Sequence, residues 1–561
     1  DGVTGEVTVA GPGQDTVWTV SGEGSGSVAG VDFTNVTTLR GAAGNEDTFV
    51  VSQSGSIARV HGGNGGFDSL VVNGSYGSAV FTAFGPNDGL VTLDGRTIAY
   101  AGLEPIVASG SLADVVFDLG GLDDEATLSQ DGGTLTLSSA GTFEFTPFSV
   151  PSSSVTINGG GGRDRVIISG AIALGTASLT IDAELIDVPA GSSIATSGDV
   201  TLAAAAHNDV ANAASQVARV SVGGTITADG GVVLTATVGQ TVALFGQTLS
   251  SDTNYTFGSE SRAEIGNGAV VSGATLLVRA ATTVSFVYQG DAPPHTVFDV
   301  SGLPAGGSVN VSINNTTHAG ISGGARAAVG NGPLSGTDAA SVAIEAVDST
   351  SVSIVITDTS TPSTAVALVE QIGNFLTFDR LAATTTISRD TRAYVEDAPS
   401  GADTVATGGA VRVRAENTGT IASEITSDFI GAGHNDVTRD DAVAVLDGAV
   451  LDVGGLALGA RTATTYAATA KDVVNDVSGA TTVMVSDSVV GAGAGGVVLD
   501  ARDDSALIAL SENLVQIPGT PFVTITAARA QNLLDRSTAA SANGAEITSA
   551  GDVDVLAVGN A

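Results

Sequence analysis

Four glycine-rich turns in the first third of the chain set an aspartate two residues before an apolar one. They are Gly11-Pro-Gly-Gln-Asp15-Thr-Val17, Gly41-Ala-Ala-Gly-Asn-Glu-Asp47-Thr-Phe49, Gly62-Gly-Asn-Gly-Gly-Phe-Asp68-Ser-Leu70 and Gly159-Gly160-Gly-Gly162-Arg-Asp164-Arg-Val166. Glycine reaches backbone conformations that let a turn present its carbonyl oxygens, and aspartate adds a charged oxygen. Ca2+ takes six to eight oxygens. The combination therefore suits a calcium-binding turn, with Asp15, Asp47, Asp68, Gly159, Gly160, Gly162 and Asp164 as candidate ligands. The competing reading is a set of tight β-turns with no ligand. The copies lie tens of residues apart and two carry an extra residue before the aspartate, so sites form only where folding brings turns into register.

Other reactive side chains are sparse. The five histidines are His61, His207, His295, His318 and His434. His207-Asn-Asp-Val210 recurs as His434-Asn-Asp-Val437, and Asn475-Asp-Val477 repeats part of it. This reads as equivalent loops of duplicated units keeping the same residues. No histidine has another four residues on and there is no cysteine, so a zinc site lacks its ligands. No nucleophile elbow, phosphate loop or dinucleotide fingerprint occurs. The chain is expected not to be an enzyme. The alternative is a polysaccharide-binding or polysaccharide-cleaving β-helix of lyase or hydrolase type, with Trp18, Tyr255, Tyr288 and Tyr394 lining its groove. Against cleavage, Lys471 is the only lysine and the arginines are scattered, with Arg262, Arg326 and Arg392 recurring as unit starters.

The elements that must position these residues are strands. Of 561 residues 75 are glycine and only 4% are aromatic, while hydrophobic residues reach 43%. Small and β-branched side chains suit a thin core between close sheets, and that hydrophobic content is too high for disorder. The net charge of −39 repels nucleic acid and anionic lipid, excluding both as partners. No apolar run is long enough to span a membrane. The only methionine is Met484 and the apolar pattern is still running at Val553, Val555 and Ala557, so the chain reads as a segment of something longer.

A short unit recurs in the second two-thirds: Ile194 with Val200 and Leu202, Ile226 with Val232 and Leu234, Val270 with Leu276 and Val278, Val405 with Val411 and Val413, and Ile547 with Val553 and Val555. Looser copies run from Leu451 to Leu458, Val342 to Ile344 and Val497 to Leu499. Alternation puts apolar side chains on one face, a small turn redirects the chain, and the next copy stacks to bury what one coil cannot. The predicted fold is an all-β, elongated parallel β-solenoid with few or no helices. A β-rich part over 1–180 is expected to run on into a repetitive solenoid over 181–561, with insertions near 284–308, 360–385 and 512–536. Short helices are predicted at Ala365–Phe378 and Gln531–Arg536, and a module boundary at Leu103-Glu-Pro-Ile106. Coils of about 25–30 residues stacked about 4.8 Å apart would build a rod on the order of 100 Å.

The turn Gly159–Val166 matches in full the Gly-Gly-x-Gly-x-Asp-x-apolar pattern of calcium-binding nonapeptide repeats. With Gly41–Phe49, Gly62–Leu70, Tyr100–Ile106, Arg262–Ala269 and Arg392–Asp397 it resembles the repetitive regions of giant bacterial surface proteins. These are the β-strand-repeat, filamentous-haemagglutinin-like and large calcium-binding-repeat adhesins. The resemblance covers nearly the whole chain. It implies export to the bacterial cell surface, a β-helical stalk, and a role in adhesion, aggregation or biofilm matrix. The partners it implies are further copies of the protein and a carbohydrate or other cell-surface target. It supplies no catalytic residue.

Overall fold

A computed structural model describes residues 6–213, 215–249, 251–291, 307–334, 340–357, 381–399, 401–426, 431–511 and 529–560. They form one 41-stranded, mostly parallel β-sheet, with no helix among the described residues. One line of fourteen strands runs through the molecule, each hydrogen-bonded in parallel to the next. It passes from Thr16–Gly22 through Asp47–Ser52, Ser69–Gly85, Ile106–Asp118, Ser154–Asn158, Ser178–Ala183, Val200–Asn208, Gly231–Thr248, Thr275–Asp291, Ala340–Thr357, Val405–Thr426, Val450–Ala470 and Val497–Asp503 to Val553–Gly559. At about 4.8 Å per strand the line is about 60 Å tall. Each layer therefore consumes more chain than the expected coil of about 25–30 residues, and the line is shorter than the expected rod.

A second parallel line starts at Glu125–Asp131 and passes through Arg165–Ser169, Leu185–Val188, Gln216–Val222, Thr253–Ile265, Ser308–Ile321, Leu381–Glu396, Gly431–Asp447 and Asp472–Ser486 to Arg529–Asn543. A third, of short strands, runs from Ala171–Gly175 by Ser193–Thr196, Thr225–Ala228 and Val270–Gly273 to Arg326–Val329. It then joins the starts of Val405–Thr426 and Val450–Ala470 and ends on Val489–Ala492 and Glu546–Ser549. Antiparallel pairing is confined to hairpins before residue 150, such as Asp88–Leu93 with Arg96–Ala101. Those excursions give the first part of the chain its different look.

The recurring unit is the cause of the stacking. Ile194 pairs with Ile226, Val200 with Val232 and Leu202 with Leu234. The line of Val232 continues through Leu276, Val342, Val411, Leu456, Val497 and Val553. A side chain repeated at one strand position meets its own kind above and below, so the interior is a set of apolar columns. One copy is misread by a residue: the partner of Ile226 is Val271, which is buried, while Val270 faces outward. The turn between the two strands is a residue shorter there, and at a side-chain period of two that reverses the face.

Two further expectations fail. Gln531–Arg536 lies inside the strand Arg529–Asn543, its helix-forming residues overridden by pairing with Asp472–Ser486. Leu103–Ile106 is no boundary, because the fourteen-strand line runs through Ile106. Of the expected insertions, Val284–Asp291, Leu381–Thr385 and Arg529–Arg536 are strand. Most of the remainder lies outside the described residues, as does Ala365–Phe378.

Strands in the second half reach 17 to 22 residues, and their layers enclose two apolar compartments. In Ala340–Thr357, Val342, Ile344 and Ala346 belong to the main core, while Val352, Ile354 and Ile356 belong to a second one. Between them face Asp348 and Thr350, both fully buried. The opposing strand Leu381–Glu396 crosses in reverse order, with Ile387 in the second core, Arg389 and Thr391 between, and Ala393 and Val395 in the main core. A polar partition thus separates the compartments.

Candidate functional site

The first three glycine turns do stack. Gly41 N–H donates to the His61 carbonyl and Gly11 N–H to that of Arg40, and Asp47 N–H donates to Asp68 Oδ1 at 2.7 Å. Asp47 Oδ1 in turn accepts from Thr16 N at 3.1 Å. Each carboxylate thus satisfies a backbone donor on the layer before it, and a buried amide left unpaired would be costly. The leading glycine follows from the same geometry. A Cβ on Gly62 would lie 2.7 Å from Asp68 Oδ2, and one on Gly159 2.6 Å from Asp164 Oδ2, so the carboxylate folds back over bare backbone.

Asp15 does not join this column. Thr16, not Asp15, is in register with Asp47, and Trp18, not Val17, is the buried residue that stacks on Phe49 with ring centroids 5.1 Å apart. The first turn is offset by one residue, and Asp15 instead accepts from Glu46 N at 2.9 Å.

Gly159–Val166 stacks elsewhere. Arg165 pairs with Glu125 below and Leu185 above, which sets Asp164 between Asp124 and Glu184. Asp124 N–H donates to Asp164 Oδ1 at 2.9 Å, and Asp164 N–H to Glu184 Oε2 at 2.7 Å. Both oxygens of Asp124 and Oδ2 of Asp164 are buried without a hydrogen-bond partner. Burial pushes the Asp124 carboxyl up, against the Thr142 hydroxyl that favours its charge, and brings that of Asp164 to about 6, with Glu184, Asp124 and Asp123 adding repulsion to the latter. Gly160 and Gly162 hold the turn: φ is +92° and +116°, and a Cβ on either would run into the carbonyls of Gly120 or Leu122.

The column of Asp47 and Asp68 also continues past its glycines. Glu104 N–H donates to the Asp68 carbonyl at 2.6 Å. Glu144 lies near Glu104 and Asp88, buried, with neither carboxylate oxygen partnered. Burial and those two like charges push its carboxyl up to about 8. Asp124, Glu104, Glu144 and Glu184 were all missed in the sequence. The signal available was weak: Asp124 follows Gly120-Gly121, but glutamates without glycine turns carry no motif.

The unpartnered carboxylate oxygens of Asp124 and Asp164 are hard donors of the kind Ca2+ takes. No group of three or more acid or histidine side chains among the described residues is placed to hold a metal ion. Any ion here would depend on backbone carbonyls and water for the rest of its shell.

The histidine repeat resolves into a ladder of asparagines. Asn435 lies in register with Asn475, and Asn475 with Asn532, inside the second compartment's wall. Asn435 Nδ2 donates to Asn475 Oδ1 at 2.8 Å, and Asn475 Nδ2 to Asn532 Oδ1 at 2.8 Å. These are strand positions rather than loops. His207 instead sits at an exposed strand end, 2.8 Å from Asp209, and His295 lies outside the described residues. Arg262 and Arg392 do share an outer column, with Arg219 and His318, whereas Arg326 pairs with Val270 on another strand.

The expected aromatic groove does not form from its candidates. Trp18, Tyr288 and Tyr394 are buried, and Tyr255 packs against Phe286 at 5.0 Å between ring centroids. Comparison with known proteins found no family model, no curated protein and no solved structure that matches this chain.

Proposed function

We propose that the three parallel lines wind into a β-solenoid, and that this solenoid is a rigid structural or adhesive element of a bacterial cell surface or extracellular matrix. The observation that carries the reading is the unbroken fourteen-strand line with like residues in register, from Val232 through Leu276 and Val342 to Val553. A layered column of this kind is stable by addition of layers and presents long, regular faces. The carboxylate columns support a stiffening role for Ca2+, with Asp124 and Asp164 as ligands and Glu184 positioning Asp164. The acidic surface suits an exterior medium and disfavours nucleic acid. A carbohydrate or a second copy of the chain is the partner class expected on its faces.

The test is mechanical and adhesive together. Single-molecule pulling should give a high unfolding force that drops when Ca2+ is chelated, and beads coated with the protein should bind cells or a polysaccharide film. A protein that unfolds at low force and binds neither surface would end the proposal.

A further inference from the structure

The partition between the two compartments is built from charges. Arg389 Nη2 lies 2.7 Å from Asp440 Oδ1, both side chains having no exposed surface. Its Nη1 donates to the Thr418 carbonyl at 2.9 Å and faces Asp348 Oδ1 at 3.4 Å, while Nη2 also donates to Thr464 Oγ1 at 2.7 Å. Asp440 receives Asn417 Nδ2 at 2.7 Å, the Tyr466 hydroxyl, and Arg536 Nη1 at 2.8 Å. Arg536 Nε reaches Asp503 Oδ2 at 2.6 Å. Asn315 Nδ2 and Thr350 Oγ1 complete Asp348 at 2.8 and 2.6 Å. Burial works against the charge on Asp440, but Arg389 and Arg536 outweigh it and hold that carboxyl below its ordinary range.

A buried ion set is weak support for stability, since taking charges out of water offsets most of their attraction. It can nonetheless discriminate between arrangements. The strands it joins have a repetitive interior: Leu381–Glu396 turns Ala383, Thr385, Ile387, Thr391, Ala393 and Val395 inward around Arg389. Sliding such a strand by two residues keeps every face and exchanges small side chains for similar ones. The apolar columns alone oppose that slip weakly. The same slip would leave Arg389 opposite an apolar position, take from Asp440 one of its two guanidinium partners, and separate Asp348 from Arg389. A second observation fits. Strand Gly431–Asp447 carries one extra residue relative to both neighbours, and the register shift falls between Val437 and Ala442, where Asp440 turns inward. Bulges re-aim side chains.

We propose that the buried Arg389–Asp440 set, with Asp348, Arg536 and Asp503, is a register lock, selecting which residues of neighbouring long strands pair. It does not depend on the surface role proposed above.

The chain has no cysteine, so disulfides can report register. Thr386 is in register with Asp436, and both face outward. Cysteines at this pair stand within bridging range, whereas Thr386→Cys with His434→Cys, slipped by two, has Cα atoms about 8 Å apart and cannot bridge. In the otherwise unchanged chain only the first pair should oxidise. With Arg389→Met, Asp440→Leu, Asp348→Leu and Arg536→Met added, the slipped pair should cross-link on the order of tenfold more, in protein that remains β-rich by circular dichroism. Arg389→Gln with Asp440→Asn, milder and still polar, should show the same change to a smaller degree. If the native pair alone cross-links in both backgrounds, the lock is refuted. If neither substituted background folds, the charges hold the fold rather than choose its register, and the proposal is equally overturned.

Discussion

Asp124 N–H donates to Asp164 Oδ1 at 2.9 Å, joining residues 40 apart in the chain at equivalent places on successive layers. One oxygen of Asp164 is thereby committed to the backbone, and its other makes no hydrogen bond, while the buried Asp124 carboxylate has the Thr142 hydroxyl as its polar neighbour. That division of labour makes calcium binding measurable separately from folding. Millimolar Ca2+ should raise the melting temperature by several degrees, by the mass-action stabilisation any ligand of the folded state confers. Asp124→Asn should remove most of the shift while leaving the Asp164 hydrogen bond. Asp164→Ala should remove the shift and lower the calcium-free melting point as well. No shift in the unaltered chain would leave the glycine turns as structural punctuation.

The raised carboxyls predict a pH dependence of definite sign. Glu144 sits at about 8 and Asp164 at about 6, against ordinary values of 4.5 and 3.8. A carboxyl raised by folding favours the protonated folded state, so its contribution is present below the ordinary value and is lost as pH rises through the raised one. Without calcium, the melting temperature should fall from pH 5 to pH 9. Glu144→Gln should flatten the part of that fall above pH 6.5. A melting point that rises over the same range would contradict the burial of these groups.

Neighbouring glycines should respond in opposite ways. Gly160 has φ of +92° and no room beside the Gly120 carbonyl, whereas a Cβ on Gly161 meets only Gly121 Cα at 3.8 Å. Gly160→Ala should cost about 1–3 kcal/mol or more, from strain and collision together. Gly161→Ala should lie within about 0.5 kcal/mol of the parent. Urea titration of the two variants checks this, and equal losses would mean the turn does not stack as described.

The register at Ile226 gives a similar contrast. Ile226 is buried between Ile194 and Val271, so Ile226→Ala should cost about 2–5 kcal/mol. Val270→Ser, one residue from the buried Val271, should change stability by no more than about 0.5 kcal/mol. A large loss at Val270 would restore the face that the sequence pattern suggested.

These contrasts show what the sequence made legible. Doublets such as Val232 and Leu234 declared both their strands and their stacking partners, because alternation and repetition are properties of the chain itself. The carboxylate columns were half visible. Asp47, Asp68 and Asp164 stand in glycine turns that had to be conspicuous to clear a path for them, while Glu104, Glu144 and Glu184 take part only through register. The charged partition was hidden for another reason. Arg389 sits at an inward position by parity, but its partner Asp440 follows a bulge that breaks the count, and Arg536 lies in a stretch whose residues favour helix until a neighbouring strand claims them.

The account rests on layers piled in a single body. Electron microscopy of the isolated chain should show one unbroken particle about 60 Å along the stacking direction, with a repeat near 4.8 Å in the best averages. Separate globules joined by thin necks, with no such repeat, would contradict it.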